Sequence, residues 1–95
     1  LNDAIQSKDL DSLNLSTAYR FRGRIYAQMD SLKMTLSDFT KAIEFNPKSD
    51  LAYASRGDTY RLLKNKEQAC KDYRKAADLG LVTVYEIIKE YCNGK

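Results

Sequence analysis

The chain contains no histidine, no tryptophan, a single proline, four glycines and two cysteines in 95 residues. Each shortage excludes something. Without histidine, the commonest general base and the commonest metal ligand are both missing. Cys70 and Cys92 form no CxxC pattern, and two thiolates alone do not close a tetrahedral zinc site, so neither a metal nor a cofactor is expected. There is no Gly-rich phosphate loop, and the serines and cysteines have no base beside them in a recognisable motif. Paired acids such as Asp9 with Asp11, or Glu86 with Glu90, can be drawn on any charged helix. The chain is therefore read as not an enzyme.

No uninterrupted apolar run approaches the roughly 20 residues needed to cross a bilayer. The first residues, Leu1-Asn2-Asp3-Ala4-Ile5, lack the basic start and apolar stretch of a signal peptide. The chain begins without Met, so it is expected to be excised from something longer, where a signal or anchor could have stood. The net charge of +3 comes from Lys and Arg interleaved with Asp and Glu, which predicts weak attraction to nucleic acid. Neither nucleic-acid binding nor membrane insertion is expected. A composition of 43% hydrophobic and 31% charged residues fits one soluble globular domain. The cysteines leave two readings open. Each is a small buried hydrophobe with a free thiol, which favours the cytoplasm, or the two form a disulfide, which requires an oxidising compartment.

What is abundant is recurrence. Ala18, Tyr19, Arg22, Gly23, Tyr26, Asp38, Lys41 and Ala42 reappear 34 residues later as Ala52, Tyr53, Arg56, Gly57, Tyr60, Asp72, Lys75 and Ala76. Ordinary residue usage would leave roughly two such identities in a window of this length. Conservative pairs add to them, among them Phe39 with Tyr73 and Glu44 with Asp78. A period of this size means stacked supersecondary units that bury a core only against their neighbours.

Within each unit the apolar spacing is helical. Ala18, Phe21, Ile25 and Met29 follow a three-and-four rhythm, with Ser16 placed to cap the helix start. The rhythm breaks at Asp30-Ser31 and resumes with Leu32, Leu36, Phe39 and Ile43, ending at Asn46-Pro47 because proline cannot continue a helix. The second unit repeats the plan, with Asp50 as cap, a helix to Leu63, a turn at Lys64-Asn65 and a helix from Lys66 stopped by Gly80. Connections this short force antiparallel hairpins. The predicted organisation is a tail of a preceding helix plus a polar connector over 1–15, with the connector at Gln6–Leu15. Hairpins follow over 16–49 and 50–82, and a C-terminal capping helix over 83–95, all in one domain. The capping helix is read from the stripe Val84, Ile87, Ile88 and Tyr91.

These residues resemble the tetratricopeptide repeat. The matching positions are Tyr19, Gly23, Tyr26, Phe39, Ala42 and Pro47 in the first copy, and Tyr53, Gly57, Tyr60, Ala69, Tyr73 and Ala76 in the second. Thr35 stands where the second copy has Ala69, and Leu81 stands in the expected proline slot. The short last connection, ending Leu-Gly, also resembles the Sel1-like relatives of the family. The resemblance implies an all-α fold, a right-handed α-solenoid of antiparallel helix hairpins. It also implies a protein-protein interaction module, a scaffold or adaptor that receives a peptide or partner helix on its concave face.

Recurring Tyr and Gly are read as packing residues, and Arg22 with Asp38 and Arg56 with Asp72 as repeated internal ion pairs rather than ligand contacts. By the resemblance, Arg20, Arg24 and Gln28, then Ala54, Asp58 and Arg61, should face the groove, with Glu86 and Glu90 following. The candidate peptide-binding residues are thus Arg20, Arg24, Gln28, Asp58 and Arg61, and a peptide carrying a carboxylate near Arg20 and Arg24 is the candidate ligand. Chaperone-binding members hold a C-terminal carboxylate with Lys and Asn, but here those slots read Arg20, Arg24, Ser55, Thr83 and Ile87. Only Arg20 is a fair substitute, and chaperone-tail binding is not expected. The alternative function is a structural segment of a longer array that self-associates through exposed repeat ends, because about three repeats are needed for stability.

Overall fold

The computed structural model describes residues 2–94, with side-chain surroundings over residues 10–94. Helix α1 spans Asn2–Gln28, α2 Leu32–Phe45, α3 Asp50–Leu62 and α4 Lys66–Asp78. The C-terminal helical segment follows as a 3-10 turn at Val82–Val84, the single turn α5 at Tyr85–Ile87 and a π turn at Ile88–Cys92. No strand occurs among the described residues. Helices α1 and α2 form one antiparallel hairpin and α3 and α4 a second, with α2 packed on α3 and the C-terminal segment packed on α4.

Two sequence expectations at the N-terminus are corrected. The polar connector expected over Gln6–Leu15 is helix, continuous with α1, because no proline or glycine occurs before Gly23 to interrupt it. Ser16, expected to cap a helix start, therefore lies inside α1. It is buried, and its hydroxyl donates to the Ala42 carbonyl across the hairpin at 2.6 Å. Ser49, rather than Asp50, caps α3. Its hydroxyl accepts from the Ala52 N–H at 3.1 Å, while Asp50 becomes the first helical residue.

Both hairpins depend on close helix approach at a glycine. A Cβ on Gly23 would stand 2.8 Å from Phe39 Cε1, and one on Gly57 would stand 3.0 Å from Tyr73 Cε1. Ala42, Ala52, Ala69 and Ala76 are fully buried where neighbouring helices meet. Tyr19 stacks on Phe45 with ring centroids 5.7 Å apart, closing the open end of the first hairpin. Between hairpins, Ala42 and Ile43 of α2 cluster with Ala52 of α3, flanked by Tyr19 and Tyr53.

Helix ends α1, α3 and α4 share one stop. In each, a residue with positive φ follows the helix, namely Asp30 (60°), Lys64 (65°) and Gly80 (107°). The next N–H reaches back five residues, from Ser31 to the Tyr26 carbonyl, from Asn65 to Tyr60 and from Leu81 to Ala76. This six-residue closure satisfies carbonyls that the helix end leaves open. Of the three residues, Lys64 fits worst, because its Cβ crowds its own carbonyl there.

The C-terminal segment is shorter than the expected 83–95 helix and ends at Cys92. Val84 is buried against Ala69, Tyr73 and Ala76, with Ile87, Ile88 and Tyr91 around it. Tyr91 meets Tyr73 edge-on, with centroids 6.5 Å apart. Cys70 and Cys92 are joined in a disulfide with Cα atoms 5.7 Å apart, which corrects the free-thiol reading. The condition that favoured the cytoplasm is thereby removed.

Replacing Lys64 with glycine should stabilise the fold by about 0.5–1 kcal/mol, the relief of the left-handed strain less the added chain entropy. Urea unfolding of the Lys64→Gly variant measures it, and an unchanged midpoint would show that Lys64 is unstrained. Removing the disulfide that closes a separation of 22 residues should cost about 3 kcal/mol. Amide exchange of the Cys70→Ser, Cys92→Ser double variant should show the loss first in residues 82–92 and α4, with α1 and α2 retaining protection.

Candidate protein-binding face

The first helices of the two hairpins, α1 and α3, border a groove of about 290 Å³. Arg24, Ala27 and Gln28 line it from α1, and Ser55, Asp58, Thr59 and Leu62 line it from α3, with Phe39 of α2 contributing. The two walls use matching slots, because Asp58 and Leu62 stand 34 residues after Arg24 and Gln28. Helix periodicity explains the set: residues four apart lie on one face.

Three of the five candidate residues, Arg24, Gln28 and Asp58, come together here. Arg20 does not line the groove; its guanidinium lies 5.2 Å from the Phe21 ring centroid. Arg61 also turns away, sitting 5.4 Å from the Tyr91 ring centroid and 5.9 Å from that of Tyr73. Ala54 is half-buried against the Val84 cluster rather than open to the groove. Glu86 and Glu90 are exposed on the C-terminal segment and are not among the groove's lining.

Asp58 is already engaged within the protein. Its carboxylate accepts a short hydrogen bond from the Tyr73 hydroxyl and lies 3.8 Å from the Arg61 guanidinium. Burial first, and then that hydrogen bond, push the Tyr73 phenol well above its ordinary value, so it stays a donor. Asp58 thus satisfies the hydroxyl of a fully buried tyrosine. Among the described residues, the groove charge left without an ion pair is Arg24, beside the amide of Gln28 and the apolar side chain of Leu62, which is 62% exposed.

Leu62 and Thr59 were not anticipated from the sequence, and Ser55 appeared only as the occupant of a carboxylate-holding slot that it does not suit. The signal for Leu62 was present in the departure from recurrence, since Gln28 and Leu62 hold the same slot with opposite character. Thr59 gave none, being a small polar residue on a helix rich in them.

Arg22 and Arg56 are turned inward to the second helices. Arg22 donates from Nε to Asp38 at 2.8 Å and from Nη2 at 2.9 Å. Arg56 holds Asp72 in the same fork at 2.8 and 3.0 Å and adds a 3.4 Å contact from Nη1 to the Thr40 hydroxyl of the first hairpin. Each guanidinium also lies between two tyrosines: Arg22 is 5.4 and 5.7 Å from the centroids of Tyr19 and Tyr26, and Arg56 is 5.7 and 5.8 Å from Tyr53 and Tyr60. The repeated tyrosines thus stack on the repeated arginines. Hydrogen bonding to the partner carboxylate raises both arginine pKa values, so neither arginine loses its charge at any working pH. Among the described residues no cluster of His, Cys, Asp or Glu could hold a metal ion, and no helix is long and apolar enough to cross a membrane.

Against known proteins, the family model for the tetratricopeptide repeat matches residues 39–71. The mitochondrial import receptor subunit TOM70 of Homo sapiens and that of Mus musculus are each 34% identical to this chain over 61 residues. The match covers 64% of the chain and 10% of the relative, so the chain spans about a tenth of the length of these relatives.

The two ion pairs differ in exposure, with 55% of the Arg22 side chain open to solvent against 20% for Arg56, while both aspartates are buried. Arg56→Ala should therefore cost about 2 kcal/mol, because Asp72 is left buried and unpaired. Arg22→Ala should cost less, since water can reach the Asp38 carboxylate through the space vacated. Chemical unfolding of the two variants side by side gives the order, and equal losses would count against it.

Proposed function

Since the chain belongs to the tetratricopeptide-repeat family, we propose that it is a protein-interaction module whose groove between α1 and α3 receives an extended peptide segment. The observation that carries this reading is the groove's pairing of Arg24, which makes no ion pair among the described residues, with the exposed Leu62 on the facing helix. A bound segment would set an acidic side chain or carboxylate against Arg24 and an apolar side chain against Leu62, with Gln28 available to its backbone. Asp58 and Arg61 support the wall through Tyr73 and Tyr91 rather than contacting the ligand. Arg20, packed over Phe21 outside the groove, adds positive field near one end. The relatives are named as receptor subunits, which fits a surface made for partners. The Cys70–Cys92 disulfide fits work in an oxidising compartment.

Fluorescence anisotropy with a library of extended peptides pairing an acidic with an apolar residue tests the groove. Leu62→Asp and Arg24→Glu should each weaken the best binder about tenfold or more, and added salt should weaken it further. Binders that ignore both substitutions would remove the groove from consideration.

A further inference from the structure

The disulfide between α4 and the C-terminal segment borders a positively charged cavity. Both cysteines line this space of about 500 Å³, together with Lys66, Glu67, Lys71 and Arg74. Three cations against one acid leave its walls net positive. Among the described residues none of the three is paired with a carboxylate. Lys66 and Arg74 stand four residues before and four after Cys70, so all three share one face of α4. The same two cations touch the segment that the disulfide fastens. Arg74 donates from Nη2 to the Asn93 side-chain oxygen at 3.0 Å, and the Lys66 ammonium lies 5.4 Å from the Tyr91 ring centroid. The two cysteines differ in access, since Cys70 is buried at 5% exposure whereas Cys92 is only partly buried. Val84 seats the start of the segment in the core, and the disulfide ties its far end.

We propose that Cys92 is a thiol-exchange site, whose cavity admits a small carboxylate-bearing thiol and lets it open the disulfide while the chain stays folded. The incoming thiolate bonds to Cys92 Sγ as the Cys70–Cys92 S–S bond breaks, and the bonding electron pair leaves on Cys70 Sγ as a thiolate. The product is a mixed disulfide on Cys92. A second thiolate then attacks the sulfur of the bound thiol, which releases the small disulfide and leaves Cys92 as a thiolate. Two small thiolates are oxidised and the protein disulfide takes up their two electrons. The cations act twice. Their charge draws the carboxylate of the thiol into the cavity, and it stabilises the thiolate that departs on Cys70, which makes that sulfur the better leaving group. Burial keeps Cys70 from being attacked in its turn. Exchange therefore unfastens the far end of the cover on α4, while Val84 keeps the near end seated.

This site is separate from the peptide groove and does not depend on it. The test exposes the oxidised 95-residue chain at low salt to an anionic, a neutral and a cationic thiol, namely mercaptopropionate, mercaptoethanol and cysteamine. Each rate is divided by the rate of the same thiol on an uncharged small disulfide, so that differences in nucleophilicity cancel. Mercaptopropionate should then be at least about threefold faster than cysteamine, and about 0.5 M salt should close the gap. Lys71→Glu, at an exposed position, should narrow the preference. Acid quenching and peptide mapping should place the mixed disulfide on Cys92. Urea well below the unfolding midpoint should leave the rate unchanged, because exchange proceeds in the folded chain. Equal or reversed normalised rates overturn the proposal, as does an adduct on Cys70 or a rate that climbs with urea as unfolding does.

Discussion

Everything else in this molecule depends on how closely two helices approach at a glycine. Gly23 against Phe39 and Gly57 against Tyr73 leave no room for a methyl group, so each hairpin has one register in which an aromatic ring covers bare backbone. That register sets the distance at which Arg22 reaches Asp38 and Arg56 reaches Asp72, sixteen residues apart in both copies. Slipping either hairpin by a turn would clash the ring and strand a buried carboxylate together. The ion pair adds specificity more than stability, because burying the acid is itself costly. The tyrosines on either side of each arginine limit its alternatives, so a fork that could wander at the surface is held to one acid.

The two hairpins are nearly the same object in different surroundings, and the differences are informative. Arg56 is more buried than Arg22 because α2 lies over α3, and Thr40 comes within reach of its second terminal nitrogen. At the far end the C-terminal segment takes the covering role for α4, with Val84 inserted against Ala76 and a disulfide closing the contact. Terminal units of a stacked array need such a polar-backed cover. Among the described residues the C-terminal segment supplies such a cover for α4, while Phe21 and Ile25 of α1 stand about half exposed.

The all-helical fold and the hairpins were readable because their causes are local. A 34-residue recurrence, a proline after Asn46 and a glycine after Leu79 act on the chain where they stand. The connector over Gln6–Leu15 was misread because polarity was taken for irregular structure, whereas nothing in that stretch breaks a helix. Ser16 misled for a related reason: a serine suits a cap and a buried crossing equally, and the choice belongs to the Ala42 carbonyl opposite. The disulfide needed the distance between two helices, which no spacing along the chain supplies. Of the groove, Arg24, Gln28 and Asp58 could be placed by slot. The inward turn of Arg61 could not, because its attraction to Tyr73 and Tyr91 joins residues of three elements.

Asp58 shows why slot position alone is a poor guide to ligand contact. Its slot faces the groove, and its carboxylate is exposed enough to attract a cation there. The Tyr73 ring, however, fills the hole made by Gly57 and brings its buried hydroxyl against Asp58. A buried phenol needs an acceptor more than the groove needs an acid, since the ring cannot withdraw without opening the hairpin. Packing therefore claims Asp58 first. In the first hairpin Phe39 takes the place of Tyr73 and has no hydroxyl to satisfy, so the matching slot is free to carry Arg24. One oxygen atom in the second helix thus decides whether the residue in this slot is held by packing, as Asp58 is, or stands clear of it, as Arg24 does.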